Sequence, residues 1–138
     1  MHTLKIGQVA HETGLSTETI RYYERQGIMP KPARLPNGYR GYAPAAVARL
    51  NFVKRAKRLG FSLREIRDLL SLLGDENAGA KDIKLRAEAK LLEIERSIAD
   101  LEKMRRALHE LTNACPGSGV KDRCPIYIAL VDDTDPVR

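Results

Sequence analysis

Tryptophan is absent from this 138-residue chain, and with two phenylalanines and five tyrosines its aromatic content is only 5%. So few aromatic rings leave little material for a shaped catalytic cleft, and nucleophilic chemistry needs such a cleft with a base and an oxyanion site in it. The segment Gly117-Ser118-Gly119 is no nucleophile elbow, because no strand precedes it. The chain is therefore not expected to be an enzyme. Cysteine occurs only at 115 and 124, too few for the usual four ligands of an iron-sulfur cluster or a structural zinc site. No apolar stretch approaches the roughly 18 residues of a membrane span. The opening Met1-His2-Thr3-Leu4-Lys5 leads into structure without the apolar core of a signal peptide. A cytoplasmic location away from membranes is expected. There, two cysteines stand as reduced thiols, which turns attention to metal or redox chemistry.

What the chain does have is positive charge, and the charge is unevenly placed. The formal net charge is +6 and the pI about 9.5, which suggests an anionic partner. Residues 1–62 hold 11 Lys/Arg against 3 Asp/Glu, whereas residues 63–138 hold 13 against 15. A cationic first half and a near-neutral second half fit a DNA-binding head joined to an assembly tail, since neutralising phosphates is the main sequence-independent source of affinity for DNA.

In the first half, Ile6, Val9 and Ala10 recur at helical spacing, Gly14 stops that helix, and Ser16 caps a second one carrying Ile20 and Tyr23 on one side. This predicts a helix-turn-helix. Ser16, Thr17 and Thr19 supply short polar groups for a helix entering the major groove, and Arg21 and Arg25 supply cations for phosphates. Of Tyr22 and Tyr23, one packs into the core and the other reaches phosphate, because adjacent helical positions lie about 100° apart; the pattern alone does not separate them. Pro30, Pro32 and Pro36 keep residues 29–36 out of helix. A tight turn at Asn37-Gly38 then lets a hairpin wing project Tyr39 and Arg40 toward DNA.

Pro44 opens a third helix whose stripe is Val47, Leu50, Val53 or Phe52, Ala56 and Leu59, with Lys54, Arg55, Lys57 and Arg58 opposite. One or two of those four cations are expected on the DNA backbone. Gly60 ends this helix, Ser62 caps the next, and Ile66, Leu69, Leu70 and Leu73 pack it down as far as Gly74. After a polar hinge at 74–79, residues 82–114 contain neither Pro nor Gly. Ala87, Leu91, Ile94, Ile98, Leu101, Met104, Leu108 and Leu111 advance there in steps of four and three, the spacing of a coiled-coil seam. Such a helix needs a partner, and an antiparallel copy from a second protomer is the expected one. The same register ends at Cys115, beside the seam. Pro116 and Gly117 break the helix, a loop runs to Cys124, and Pro125 starts a short apolar segment, Ile126 to Val131.

Leu4-Lys5-Ile6-Gly7-Gln8-Val9-Ala10, Ile20-Arg21-Tyr22-Tyr23-Glu24, Asn37-Gly38-Tyr39-Arg40 and Leu59-Gly60-Phe61-Ser62-Leu63 are similar, in order and spacing, to the MerR family of bacterial transcription regulators. The resemblance covers nearly the whole chain. It implies a mainly α fold: a winged helix-turn-helix head at 1–73, a hinge at 74–79, a long antiparallel coiled-coil dimerisation helix at 80–114, and a metal-binding loop with a short C-terminal helix at 115–138. It also implies a homodimer on a palindromic operator in double-stranded promoter DNA. The effector would then change the DNA distortion so that RNA polymerase, an indirect partner, engages both promoter elements. The DNA-contacting set is expected to be Ser16, Thr17, Thr19, Arg21, Tyr22, Tyr23, Arg34, Tyr39, Arg40 and Arg55.

The loop, Cys-x8-Cys-Pro-Ile, resembles the site at which thiol-ligand members of the family coordinate their inducer, through Cys115 and Cys124 here. Two thiolates suit a soft monovalent ion in linear geometry, Cu(I), Ag(I) or Au(I), whereas soft divalent ions call for three or four ligands. Divalent-sensing members carry a further cysteine at the start of the dimer helix, where this chain has Ala80, which favours the monovalent class. The eight-residue interval points the other way, since it matches mercury, zinc and lead sensors. Lys84 matches a lysine of the copper branch that offsets the net negative charge of a bis-thiolate; it also reads as a solvated helix residue. His2 stands at a terminus, His11 in the head, and His109 about 600° round the helix from Cys115, so none is placed to join the loop. Two rivals remain: thiols that answer oxidants or electrophiles without metal, and a small architectural DNA-binding protein with no effector.

Overall fold

The computed structural model describes residues 3–132. Contacts divide it into one unit up to Lys90 and a second from Leu91 onward. The first opens with α1 (Ile6–Thr13) and α2 (Thr17–Arg25), then a two-residue hairpin of β1 (Ala33–Arg34) and β2 (Arg40–Gly41), then α3 (Ala45–Arg58) and α4 (Leu63–Leu73). A 35-residue helix, α5 (Ala80–Ala114), begins in this unit and continues through the second, where a 3-10 turn (Lys121–Arg123) and α6 (Pro125–Val131) follow. No helix among the described residues is long and apolar enough to cross a membrane.

Local chemistry sets the helix boundaries. The N–H of Gly14 bonds the Ala10 carbonyl at 2.8 Å, ending α1, and Ser16 Oγ accepts the Thr19 N–H at 3.1 Å, starting α2. At the end of α3, the Gly60 N–H reaches the Lys57 carbonyl at 3.0 Å and the Phe61 N–H reaches Ala56 at 3.1 Å, the paired bonds of a Schellman close. Ser62 and Glu65 then form a reciprocal capping box, with the Glu65 N–H donating to Ser62 Oγ at 3.2 Å and the Ser62 N–H to Glu65 Oε1 at 2.8 Å. Pro44 stands just before α3 rather than within its first turn.

Val9, Ile20, Tyr23, Ile28, Leu50, Val53, Ile66 and Leu70 meet in one aliphatic core, with Tyr42 beneath the wing. Leu4 and Tyr42 exchange two 2.8 Å backbone bonds, tying the start of the chain to the end of the hairpin. Two expected core positions are solvent-facing instead: Leu59 is 66% exposed and Leu73 58% exposed. Leu59 is the residue just past α3 and Leu73 the last of α4, so both stand where the chain leaves its helix. Half-buried Phe61, one residue past the Schellman close, packs against the core beside Leu63.

The wing departs from a simple two-residue Asn-Gly turn. The Leu35 carbonyl accepts the Gly38 N–H at 2.9 Å, and the Leu35 N–H donates to the Tyr39 carbonyl at 2.8 Å. Only Gly38 has positive φ, +85°. Pro36 at the first central position holds φ negative, so a turn followed by a left-handed glycine replaces the primed turn.

In the second unit, α5 exposes Leu91, Ile94, Ile98, Leu101, Met104 and Leu108 in the four-three sequence read from the chain.

Candidate nucleic-acid interface and thiol pair

Helix α2 buries Ile20, Tyr23 and Glu24 and exposes Glu18, Arg21, Tyr22 and Arg25, positions i, i+3, i+4 and i+7 of one face. The two tyrosines are thereby separated: Tyr22 is 42% exposed, with the Arg25 guanidinium 5.9 Å from its ring centre, whereas Tyr23 is 5% exposed. Tyr23 therefore leaves the DNA-contacting set and joins the core, where burial first and Tyr22 second push its hydroxyl pKa up. The hydroxyls of Ser16 and Thr19 lie 2.8 Å apart while Ser16 also caps the helix, so both are engaged at its N-terminus before any reading role. Thr17 is half-buried in the first turn.

On the wing, Tyr39 is 60% exposed and Lys5 Nζ sits 5.1 Å from its ring centre. Arg40, expected to meet phosphate, donates through Nη1 to Glu24 Oε2 at 2.9 Å while its side chain stays 41% exposed, and Tyr42 Oη donates to Glu24 Oε1. Burial, then the bond to Glu24, pushes the Tyr42 hydroxyl up to about 12. Glu24, the last residue of the Ile-Arg-Tyr-Tyr-Glu block, is thus a buried clamp holding the wing strand to the reading helix.

Between wing and helix lies a cleft of about 330 Å³ lined by Arg21, Glu24, Arg25, Lys31, Pro32, Arg34 and Arg40. Five cations line it against one carboxylate, Glu24, which is already paired with Arg40, so the cleft carries a positive potential. A smaller hollow of about 210 Å³ next to it is lined by Lys5, Ile6, Arg21, Gly38, Tyr39 and Arg40. Arg21 and Arg40 line both. Lys5 and Lys31 line these hollows although the expected DNA-contacting set includes neither; the prolines on either side of Lys31 keep that segment out of helix. On α3, Lys54 donates to the Thr13 carbonyl at the end of α1 and so serves the fold, whereas Arg55, Lys57 and Arg58 are exposed.

In the second unit, the Cys115 N–H bonds the Leu111 carbonyl at 3.1 Å, continuing α5 by one residue. Gly117 and Gly119, at φ +76° and +91°, then fold the loop back on itself. The 3-10 turn delivers Cys124 to the start of α6, and the two sulfurs come to rest 3.1 Å apart, both half-buried and not disulfide-bonded. The hydrogen bond from Cys115 first, and the backbone N–H of Tyr127 second, lower the Cys124 pKa, favouring a thiolate. Among the described residues, no group of three or more His, Cys, Asp or Glu gathers as a metal site. His109 makes a 3.2 Å contact with Asn113 along α5, and His11 is exposed on α1; His2 lies outside the described residues. Lys84 is exposed one turn into α5.

The family model described as MerR HTH family regulatory protein matches residues 4–73, and a second, described as MerR, DNA binding, matches residues 47–111. The chain is 43% identical over 129 residues to the HTH-type transcriptional regulator HmrR of Rhizobium leguminosarum bv. viciae, covering 94% of this chain and 98% of that one. It is 40% identical over 127 residues to the mercuric resistance operon regulatory protein of Bacillus cereus, covering 92% and 96%. The structure of the transcription regulator PbrR691 from Ralstonia metallidurans CH34 in complex with lead(II) superposes with a TM-score of 0.82 at 27% identity, covering 92% of this chain and 98% of that one. With its helix-turn-helix, paired wing and cationic cleft in place, the chain belongs to the MerR family of DNA-binding transcription regulators and is not an enzyme.

Proposed function

We propose that the protein is a metal-responsive, homodimeric activator that grips a palindromic operator through α2 and the wing and is switched by a soft ion held between Cys115 and Cys124. The observation that carries this reading is the pair of sulfurs 3.1 Å apart at the end of α5, half-buried and free of a disulfide. Two thiolates are a soft donor set, and their chemistry fits Cu(I), Ag(I) or Au(I) in linear coordination. A bis-thiolate of such an ion carries a net charge of −1; Lys84 stands near the start of α5 and Cys115 just past its end, so only the Lys84 of a second, antiparallel protomer can offset it. Fixing Cys115 to Cys124 joins the last turn of α5 to the start of α6, so the loop becomes ordered at the end of the helix that bridges the dimer. Bending a site of this size costs roughly 1 to 6 kcal/mol. Thiolate coordination, worth about 10 to 16 kcal/mol for structural zinc in peptides, is strong enough to bias that balance.

A divalent ion is the second reading, and one distance favours it. At an M–S bond of about 2.3 Å, a tetrahedral site sets its sulfurs about 3.8 Å apart and a linear one about 4.6 Å, so the 3.1 Å found here lies nearer the tetrahedral bite. The lead(II)-bound relative belongs to that class. In this reading water completes the site, or a carboxylate such as Asp122 after the loop moves, since none gathers with the two sulfurs among the described residues.

A promoter-activation assay in which each ion is titrated separately decides between them. Activation by Cu(I), Ag(I) or Au(I) that is lost in both Cys115→Ser and Cys124→Ser is the expected result. Activation by Zn(II) or Pb(II) with no response to the monovalent ions establishes the divalent reading. Activation that survives both serine variants removes the thiols from the switch altogether. Under the monovalent reading, Ala80→Cys adds a donor from the partner and raises the affinity for Hg(II), Cd(II) or Pb(II) relative to Cu(I).

A further inference from the structure

The thiol pair has a second chemistry open to it. A disulfide needs its sulfurs about 2.0 Å apart, so the 3.1 Å gap between Cys115 and Cys124 closes by about 1 Å to form one. Opening to the linear two-thiolate geometry takes about 1.5 Å. The 3.1 Å spacing therefore lies between the two outcomes, and a loop turned at Gly117 and Gly119 brings its ends together. Both sulfurs are half-buried, which admits a small oxidant, and the partner thiol is closer to each than any second thiol of its own chain, since the chain has only these two.

We propose that Cys115 and Cys124 form a reversible intraprotomer disulfide on exposure to a peroxide, and that this oxidised form excludes the metal. The steps balance with hydrogen peroxide as the oxidant. One thiol attacks a peroxide oxygen, the O–O bond breaks, and a sulfenic acid and one water result. The second thiol attacks that sulfur, the S–S bond forms as the S–O bond breaks, and a second water leaves. Two electrons and two hydrogens pass from the thiols to the peroxide. A dithiol donor restores both thiols by exchange. The disulfide stands on the geometry alone; only the exclusion of metal rests on the function proposed above.

The test uses full-length protein, reduced and metal-free, treated with stoichiometric hydrogen peroxide. Expected are the loss of two hydrogens from the intact protomer mass, disappearance of both titratable thiols, unchanged protomer mobility on a non-reducing gel, and reversal by dithiothreitol. Cys115→Ser and Cys124→Ser should each gain oxygen instead. A wild-type protein that gains oxygen atoms, or that runs as a cross-linked dimer, overturns the intraprotomer disulfide. One equivalent of Ag(I) added first should preserve both thiols. If the disulfide forms equally fast with Ag(I) present, the exclusion of a monovalent ion is overturned and the monovalent reading fails with it, while the disulfide itself stands.

Discussion

Glu24 shows what a single residue contributes that its sequence neighbours do not announce. Within Ile-Arg-Tyr-Tyr-Glu it reads as one more polar position on a DNA-facing helix, yet its partners Arg40 and Tyr42 lie 16 and 18 residues away, beyond the reach of any local pattern. The same limit applies to Tyr22 and Tyr23: helical geometry requires that they part company, but only the packing of α1 and α3 decides which goes inward. The positions of the cysteines, by contrast, were legible, because a heptad register and a Pro-Gly break are local signals. Tyr42→Phe removes the donor to a buried carboxylate oxygen and should lower stability by about 1–3 kcal/mol, read by urea denaturation. An unchanged midpoint would mean that Glu24 finds another donor. The raised Tyr42 pKa gives a second, alkaline signature. A tyrosine whose folded pKa exceeds its unfolded value of about 10 keeps its stabilising contribution below that pH and loses it as pH climbs toward 12. The wild-type protein should therefore lose stability across that window more steeply than Tyr42→Phe.

At the level of elements, the glycine stops of α1 and α3 and the serine caps of α2 and α4 are legible in the sequence, since each is a contact within a few residues. What the pattern concealed is how α5 begins. Lys90 reads as a solvated residue on a long polar helix, but its side chain is 7% exposed, with Nζ 2.8 Å from Glu65 Oε1 and 5.8 Å from the centre of the Phe61 ring. Glu65 at the same time closes the capping box of α4, so one carboxylate fastens the start of α4 and the first third of α5 together. Arg86 pairs with Asp68 one turn away along both helices. The bond from Lys90 first, then the Ser62 backbone, holds the Glu65 pKa below its ordinary value. A carboxylate lowered in this way contributes stability above its unfolded pKa and loses it as pH falls through the folded one. Glu65→Gln should destabilise the protein at neutral pH, by roughly 1–3 kcal/mol given that the carboxylate is partly exposed and Lys90 is left in a buried site. The deficit should shrink on acidification below about pH 4, where the wild type also loses the charge. A constant deficit down to pH 3 would place the effect in the cap rather than in the ion pair.

For the whole molecule, two features expected from sequence bear on assembly: the apolar seam of α5 and the concentration of cations in the first half of the chain. The seam residues Leu91, Ile94, Ile98, Leu101, Met104 and Leu108 stand exposed on one helix, and each such side chain is worth about 1.5–3 kcal/mol when covered. In the dimer proposed above, an antiparallel second copy would cover them and set two reading helices on one operator. Leu101→Glu puts like charges into that seam and should yield monomers by sedimentation; an intact dimer would move the interface elsewhere. Assembly also fixes the electrostatics, because a dimer presents every cation twice. With Arg21 in both hollows beside the wing and in no ion pair among the described residues, Arg21→Ala should remove about one phosphate contact per protomer, flattening the slope of log K against log salt by about 1.8 per dimer at about 0.9 per contact. Arg40→Ala tests something different. Arg40 is bonded to Glu24, so its loss also releases the wing, and operator binding should fall together with thermal stability. Arg21→Ala should leave the melting temperature in place. If both variants keep the wild-type salt slope, the cleft between α2 and the wing does not hold phosphate, and the DNA backbone must be sought along Arg55, Lys57 and Arg58 of α3.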